Sequence, residues 1–599
     1  MMAVSKVRWI VAAGLGLLYS LPAWCDWLSL GPFGGSALVV AADPNSSKTF
    51  LAGTANALLF RSQDAGESWT ALPFPAQMRG VLHTLAIDPQ RAGVYFAGLS
   101  SERQQYSGLL RSTDAGATWQ QAPDLRYRQV RAIAFWKGNS QIVAAGTEIG
   151  IYQSRDGGIT WRRISPLDNV QLQPVVALAF DPKNSGIIYA GTPHLPWKTT
   201  DGGETWRSIH AGMLDDSDVF SIQVDRNRPQ RVFASACSGI YRSLNGGASW
   251  TRLMRAKDAA DRTYVIVQDP QYENVWFAGT TFGMIRSADG GSTWEKLGSF
   301  ATRSITFDLG WLGRILIATD EAGILRSGDD GKEWQQVNHG FCNRRLTALS
   351  TASGGVLYTR TVDNATAFRL AREAEEWEEV LPEFQAIVPG FGSRPTVFLS
   401  PPWSPSLVIG SSEVGLSLSE DGGANWERVY VPAMDPNIRG LVALDPPWIA
   451  AVSANGVFLT TDGRRWKLSI PQAGKGEVHD VAATGDQNLF AATNSGLRAS
   501  ADAGASWQPV RGELDGDTIQ ALCHHPIKTS VLFAAKYGLI YTSSDTGRSW
   551  TKISPNDWPV TSIKQLAMVP ELPGQLFVLT PQQGTFVLFL DRPVRPPQQ

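Results

Sequence analysis

The sequence predicts an all-β fold: tandem β-propellers of about 13 four-stranded blades, set in two rings of six to seven. Three observations carry that expectation. The phrase Ser/Thr-x-Asp-x-Gly-x-x-Trp recurs with its tryptophan at 69, 119, 161, 206, 294, 334, 426, 507 and 550. With three drifted copies, ending at Trp250, Trp377 and Trp466, it marks twelve tryptophans spaced 40 to 50 residues apart. Each interval holds the same series of short, alternating stretches bounded by Asp-Pro or Gly, which read as strands and turns.

The chain opens on a segment outside this pattern. Lys6 and Arg8 precede a 13-residue apolar stretch, 9–21. A bilayer-spanning helix needs roughly 20 apolar residues, whereas an export signal has a core of this shorter length. Residues 1–25 are therefore expected to be a signal peptide, cut after Cys25 or Ala23, and the mature chain to be exported to a periplasmic or extracellular space. Trp24 is too bulky for the place where a lipid-attachment site needs a small residue. No later stretch is long and apolar enough to span a membrane.

Within the unit ending at Trp119, "HTLAID", "VYFAG", "GLLRS" and "TWQQA" read as four strands, joined by "PQ", a 2–3 loop and the turn "TDAGA". A lone blade cannot bury both faces, so neighbours must stack around an axis. The acid in the turn is expected to be a staple. Asp accepts backbone N–H bonds in such a loop, and the glycine two places on supplies positive φ. Asp64, Asp114, Asp156, Asp201, Asn245, Asp289, Asp329, Asp421, Asp462, Asp502 and Asp545 hold this place. Asn245 keeps the acceptor oxygen without the charge, which a turn tolerates and a general base does not. Calcium takes roughly six to eight oxygen ligands, and each turn offers one carboxylate.

The two ends of the chain complement each other. Residues 563–591 supply three strands, and 26–32 ("DWLSLGP") read as a lone fourth. Joined in one blade they would remove two sheet edges. The expected domains are the signal peptide (1–25), a first propeller (26–340) and a second (341–599) whose last blade residues 26–32 complete. The break between rings is set either at "NHGFCNRR" (338–345) or at the insertion 382–394, and the shared blade can fall in either ring.

The repeat resembles the Asp-box, or bacterial-neuraminidase, repeat. The fuller unit, as in "VVALAFDPKNSGIIYAGT" (175–192), resembles blades of photosystem II assembly and stability factors, sortilin-type receptors and two-propeller xyloglucanases. The resemblance covers the chain after residue 27. It implies the fold directly and function weakly, because those families do unrelated things.

Composition narrows the function classes. Fifty-three Lys and Arg against 55 Asp and Glu leave a formal net charge of −2, with no concentrated basic excess for nucleic acid. Cys237, Cys342 and Cys523 lie far apart and show no zinc or disulfide spacing. His524 and His525 stand where other units have Asp-Pro, without further ligands for a metal. No cofactor motif is present.

With the boxed acids assigned to structure, function is expected on the opposite rim, in the 2–3 and 4–1 loops. Arginines recur near the start of the first strand of a blade: Arg79, Arg128, Arg131, Arg262, Arg303, Arg344, Arg345 and Arg439. Gathered on one rim they would grip carboxylates or phosphates bidentately; the plainer reading is that each pairs with a neighbouring acid. The resemblance to photosystem assembly factors, which are associated with an arginine-rich patch, favours the first. His194 and Trp197 offer a second binding pair in the loop 192–197.

An enzyme of the xyloglucanase type would need two acids facing across a cleft between rings. Asp215, Asp216, Asp218, Asp320 and Glu321 are candidates, though nothing in the sequence pairs them, and "GPFGGS" (31–36) only faintly matches the glycine-rich opening that family implies. A sialidase would need an arginine triad and an early Phe/Tyr-Arg-Ile-Pro, for which this chain has only "SRP" at 393–395. The sequence therefore points to a non-catalytic binding or assembly module for a protein or polysaccharide partner, with a xyloglucanase-like glycoside hydrolase as the alternative.

Overall fold

The computed structural model describes residues 26–591, apart from 76–77, 215–217, 257–259, 353, 363–365, 373, 381–396, 413–414, 445–446, 472–476, 485–487 and 556–557. The signal segment, Asp215 and Asp216 lie outside the described residues.

Among the described residues, thirteen sheets have four antiparallel strands each. Blades 1 to 7 are residues 39–71, 81–121, 130–163, 177–208, 219–255, 263–296 and 302–336. Blades 8 to 12 are 350–379, 397–429, 438–471, 478–509 and 519–552. Each is a simple up-and-down meander. Blade 13 is composite: Gln565–Ala567, Gln575–Leu579 and Thr585–Phe589 carry Asp26–Gly31 as their outermost strand, with Trp27 opposite Leu588.

The second strand of a blade is covered on both faces, so it is written in apolar and small residues, as in Val143–Thr147 ("VAAGT") and Val232–Ala236 ("VFASA"). The glycine in "AGT" has a specific cause. A Cβ on Gly146 would stand 2.9 Å from the Val175 carbonyl oxygen, where the next blade enters. Any side chain there would push the neighbouring blade outward.

Side chains of the inner strands bind the next blade. Val40 N–H donates to Ser304 Oγ at 3.3 Å and Ala42 N–H to Thr306 Oγ1 at 3.0 Å, joining blade 7 to blade 1. Phe50, Phe60 and Trp69 of blade 1 form one core with Leu316, Ala318 and Ile324 of blade 7. The first ring thus closes on seven blades. Blade 13 shares a core with blade 12 through Phe533, Ile540, Leu576 and Phe586. It shares another with blade 8 through Leu357, Phe368, Phe577 and Leu579. Leu349 N–H also donates to Gln565 Oε1 at 2.8 Å. The composite blade therefore sits in the second series, which closes on six described blades.

The repeated turn shows how its acid is used. Ser112 Oγ donates to Asp114 Oδ1 and accepts from Gly116 N–H, both at 2.8 Å. Asp114 Oδ1 accepts from Thr118 N–H at 2.8 Å, and Oδ2 from Thr118 Oγ1 at 2.6 Å. Gly116 has φ +87°. Hydrogen bonds from the residue four places on (Thr118, Asn425, Ser506) hold the carboxyls of Asp114, Asp421 and Asp502 down at about 2. Asn245 makes the same loop with an amide: its Oδ1 accepts from Ser249 N–H and its Nδ2 donates to Ser249 Oγ, both at 2.9 Å. These oxygens are spent inside the hairpin.

His525 substitutes for the aspartate of the 1–2 loop. Its Nδ1 accepts from Ile527 N–H and Lys528 N–H at 3.1 and 3.0 Å. Asp88 Oδ1 does the same for Gln90 and Arg91. Among the described residues no group of His, Cys, Asp and Glu is placed to hold a metal ion. The thiols of Cys237, Cys342 and Cys523 are free.

Candidate functional site: the groove at the ring junction

Two segments cross between the rings, and they run side by side. Residues 32–38 lead from blade 13 to blade 1, and 337–349 lead from blade 7 to blade 8. Gly34–Gly35 pair in parallel with Cys342–Asn343. Asn343 Nδ2 donates to Ser36 O at 2.7 Å, and Cys342 Sγ to Pro32 O at 3.3 Å. A Cβ on Gly35 would stand 2.1 Å from the Asn343 carbonyl oxygen. The glycines of "GPFGGS" thus let the two crossings touch.

Beside this crossing lies a groove of about 410 Å³, lined by Trp27, Phe33, Trp69, His339, Glu376 and Phe586 among others. Trp27 and Phe586 belong to blade 13, Trp69 to blade 1, Glu376 to blade 8, and Phe33 and His339 to the crossings. Trp69 N–H donates to His339 O at 2.8 Å, which fixes the crossing against blade 1. The His339 imidazole meets the Phe33 ring at 5.1 Å. Its Nδ1 lies 2.5 Å from Glu376 Oε1, and both side chains are more than half exposed.

Glu376 comes from the drifted unit that ends at Trp377. It stands one place before the tryptophan, where other units have the Ser or Thr that bonds the turn acid, such as Ser68 and Thr118. With the turn lost, its carboxylate is released from that duty and reaches His339. Nothing in the sequence ranked Glu376, His339 or Phe33 as site residues. The signal available was the drift itself, next to the ring break.

Among the described lining residues the carboxylates are Glu375 and Glu376, adjacent on the blade 8 wall. The blade 13 and blade 1 walls contribute Trp27, Ser29, Ser68, Thr70 and Gln583. At the 2–3 loops of the junction, Asn56 Nδ2 donates to Gln582 Oε1 at 2.8 Å. Aromatic faces with a few polar groups suit binding of a mixed polar and apolar surface. Glycoside cleavage needs carboxyls on both flanks of the bond, about 5–9.5 Å apart.

The residues proposed from sequence are placed elsewhere and mostly occupied. Arg303 Nε contacts Asp320 Oδ1 at 2.7 Å and its guanidinium lies 3.9 Å from the Tyr264 ring centre. One candidate base is thus bound to one candidate binding arginine. Arg128 lies 3.5 Å from Glu148, and Arg439 pairs with Glu477. Arg131 donates to Gln129 Oε1 at 2.8 Å, and Arg262 to the carbonyl of Asp261 at 3.4 Å. Arg79 and Glu321 are exposed, whereas Asp218 is half-buried. The Arg345 carbonyl accepts from Val362 N–H.

Two expectations are corrected. Arg344 is not on an open rim: its Nε donates to Phe33 O at 3.1 Å and its guanidinium packs over Phe368, because the two crossings run against each other there. Trp197 is not offered to a ligand. It is 8% exposed within the core of blades 3 and 4, and its Nε1 donates to His194 O at 3.3 Å. His194 N–H is in turn held by Thr192 Oγ1.

Fold and groove together define a class, a tandem β-propeller with a cleft where its rings meet. Three solved structures share that fold. A GH74 enzyme from Niastella koreensis aligns with TM-score 0.69 and 16% identity over 95% of this chain and 99% of its own. A GH74 xyloglucanase from Xanthomonas campestris aligns with TM-score 0.66 and 16% identity, over 94% and 100%. PorZ, a surface component of the type-IX secretion system of Porphyromonas gingivalis, aligns with TM-score 0.61 and 11% identity, over 94% and 87%. No family model and no curated protein matches the chain in sequence. Among the described residues no helix is long and apolar enough to cross a membrane.

Proposed function

We propose that this chain is an exported, non-catalytic binding module whose junction groove takes a polysaccharide. The observation that carries the reading is the groove's described lining: the part-exposed rings of Trp27 and Phe33 and the exposed imidazole of His339, with the described carboxylates, Glu375 and Glu376, on the blade 8 wall. Sugar rings present apolar C–H faces to aromatics and hydroxyls to polar groups such as Glu376 and His339. Export rests on the basic and apolar segment at 1–25. PorZ, a surface component built on a similar fold, is compatible with that location.

A second reading, a xyloglucanase-like glycoside hydrolase, is favoured by the likeness to the two GH74 structures. One experiment separates the two. The chain is incubated with xyloglucan, other β-glucans and sialosides while binding and new reducing ends are both measured. The binding reading expects retention on a polysaccharide gel, weakened by Glu376→Gln and Trp27→Ala, with no new reducing ends. Turnover abolished by a single carboxylate substitution would establish the hydrolase instead.

A further inference from the structure

The inner strands of the second ring enclose a cavity of about 430 Å³, away from the junction groove. Its size falls in the range of small-molecule sites, roughly 300–1,000 Å³. Its walls are mainly apolar, including Leu441, Leu566 and Met568. The described lining also carries the carboxyls of Asp480 and Glu571 and the imidazole of His524, and among the described lining residues there is no Lys or Arg.

Asp480 is the unusual member. It stands on the inner strand of blade 11, beside the register shift after Val478, and is 8% exposed. Its Oδ1 accepts from Val481 N–H at 2.9 Å and its Oδ2 from Leu522 N–H of blade 12 at 3.0 Å. Matching positions in the first ring do this inter-blade work with a hydroxyl. Ser304 Oγ accepts from Val40 N–H at 3.3 Å and Ser221 Oγ from Ile266 N–H at 3.4 Å. The staple therefore needs only a hydroxyl, and the carboxyl is surplus to it.

Among the described residues no Lys, Arg or His forms an ion pair with Asp480, and a buried carboxylate without one is costly. Burial raises its carboxyl to about 7, as expected where no charge compensates it. A second polar atom waits at the same cavity. Thr484 is 1% exposed, lines the wall, and its Oγ1 has no hydrogen-bond partner.

We propose that the channel of the second ring binds an organic cation, a primary amine on an apolar body, with its ammonium against Asp480. The ammonium supplies the countercharge that Asp480 lacks. The apolar body lies against the aliphatic walls. Glu571, in the 1–2 loop of blade 13, adds negative potential that draws a cation in. This site is independent of the junction groove.

The test uses the full chain and three probes of one shape: phenethylamine, neutral 2-phenylethanol and anionic 3-phenylpropanoate. Calorimetry follows each with the wild type, Asp480→Ser and Asp480→Asn, after melting curves confirm folding. Asp480→Ser installs the hydroxyl found at 221 and 304, and Asp480→Asn serves should the serine variant fail to fold. The amine is expected to bind at least about tenfold tighter than the alcohol, and to fall to the alcohol's affinity in the folded variant. Near pH 7, binding should release a proton from wild-type Asp480 and none from the variant, read as a buffer-dependent heat. Equal affinity for amine and alcohol, absence of saturable amine binding, or unchanged amine affinity without the carboxyl overturns the proposal.

Discussion

The indole of Trp27 stands 5.8 Å from the ring of Phe586, although 558 residues separate them in sequence. Trp558 meets both rings, at 5.8 and 5.5 Å. The first strand of the described chain is thus the fourth strand of the last blade, and its aromatic side chain packs against the core that blade 13 shares with blade 12.

Trp27→Ala should therefore destabilise the protein by about 2–3 kcal/mol, below the cost for a fully buried tryptophan because Trp27 is half-buried. Removing 26–31 should do more. It leaves the Thr585–Phe589 strand as an open edge, which invites pairing between copies. Denaturant midpoints and light scattering of the shortened chain check both; unchanged values would mean the closing strand contributes nothing.

The turn acids should tolerate an amide better than a methyl group. Asp64 accepts from Ser62 Oγ, Ser68 N–H and Ser68 Oγ. Asp64→Ala should cost about 1–2 kcal/mol, and Asp64→Asn clearly less, because Asn245 already closes the same loop. The pH dependence has a definite sign. These carboxyls titrate lower in the folded chain than the ordinary 3.8, with Asp114, Asp421 and Asp502 at about 2. Their stabilisation is present above about pH 4 and is lost as pH falls toward 2. Acid titration of melting temperature reads this directly.

Asp480 should show the opposite slope. Its carboxyl is raised from 3.8 to about 7, so between those values the folded chain keeps a proton that the unfolded chain has lost. Its contribution is full below about pH 4 and declines through about pH 7, by at most about 1.4 kcal/mol per pH unit. The neighbouring Cys523 thiol is pushed up by burial and by Asp480, and so does not titrate in this window. His524 shares the cavity, and His524→Gln serves as the control. Comparing melting temperatures of wild type and Asp480→Ser from pH 4 to 8 isolates the term: the difference should change with pH and level off above about 7.

Much of the blade was legible because its causes are local. The Ser-x-Asp-x-Gly hairpin satisfies its own hydrogen bonds, as at 112–118, and the tryptophan at its end donates back into it, Trp119 Nε1 to Gly116 O at 3.1 Å. The site was not legible for the same reason reversed. Its residues come from positions 27, 33, 69, 339, 376 and 586, and each sits in a segment whose local pattern is either ordinary or degraded. The rim arginines illustrate the limit from the other side. Their recurrence is visible in the sequence, but that Arg303 is bound to Asp320 and Arg344 lies beneath Phe33 depends on partners 17 and 311 residues away.

The sequence by itself determined the repeat unit, its strand order and the role of its turn, because hydrogen bonds within a few residues and alternation along a strand are encoded where they act. Only the tertiary structure decided that the composite blade belongs with blades 12 and 8, that the two crossings touch through Gly35, and that Glu376 meets His339. Those outcomes follow from how bulky side chains of separate blades fill shared cores, and that packing is set by neighbours around an axis rather than by neighbours along the chain.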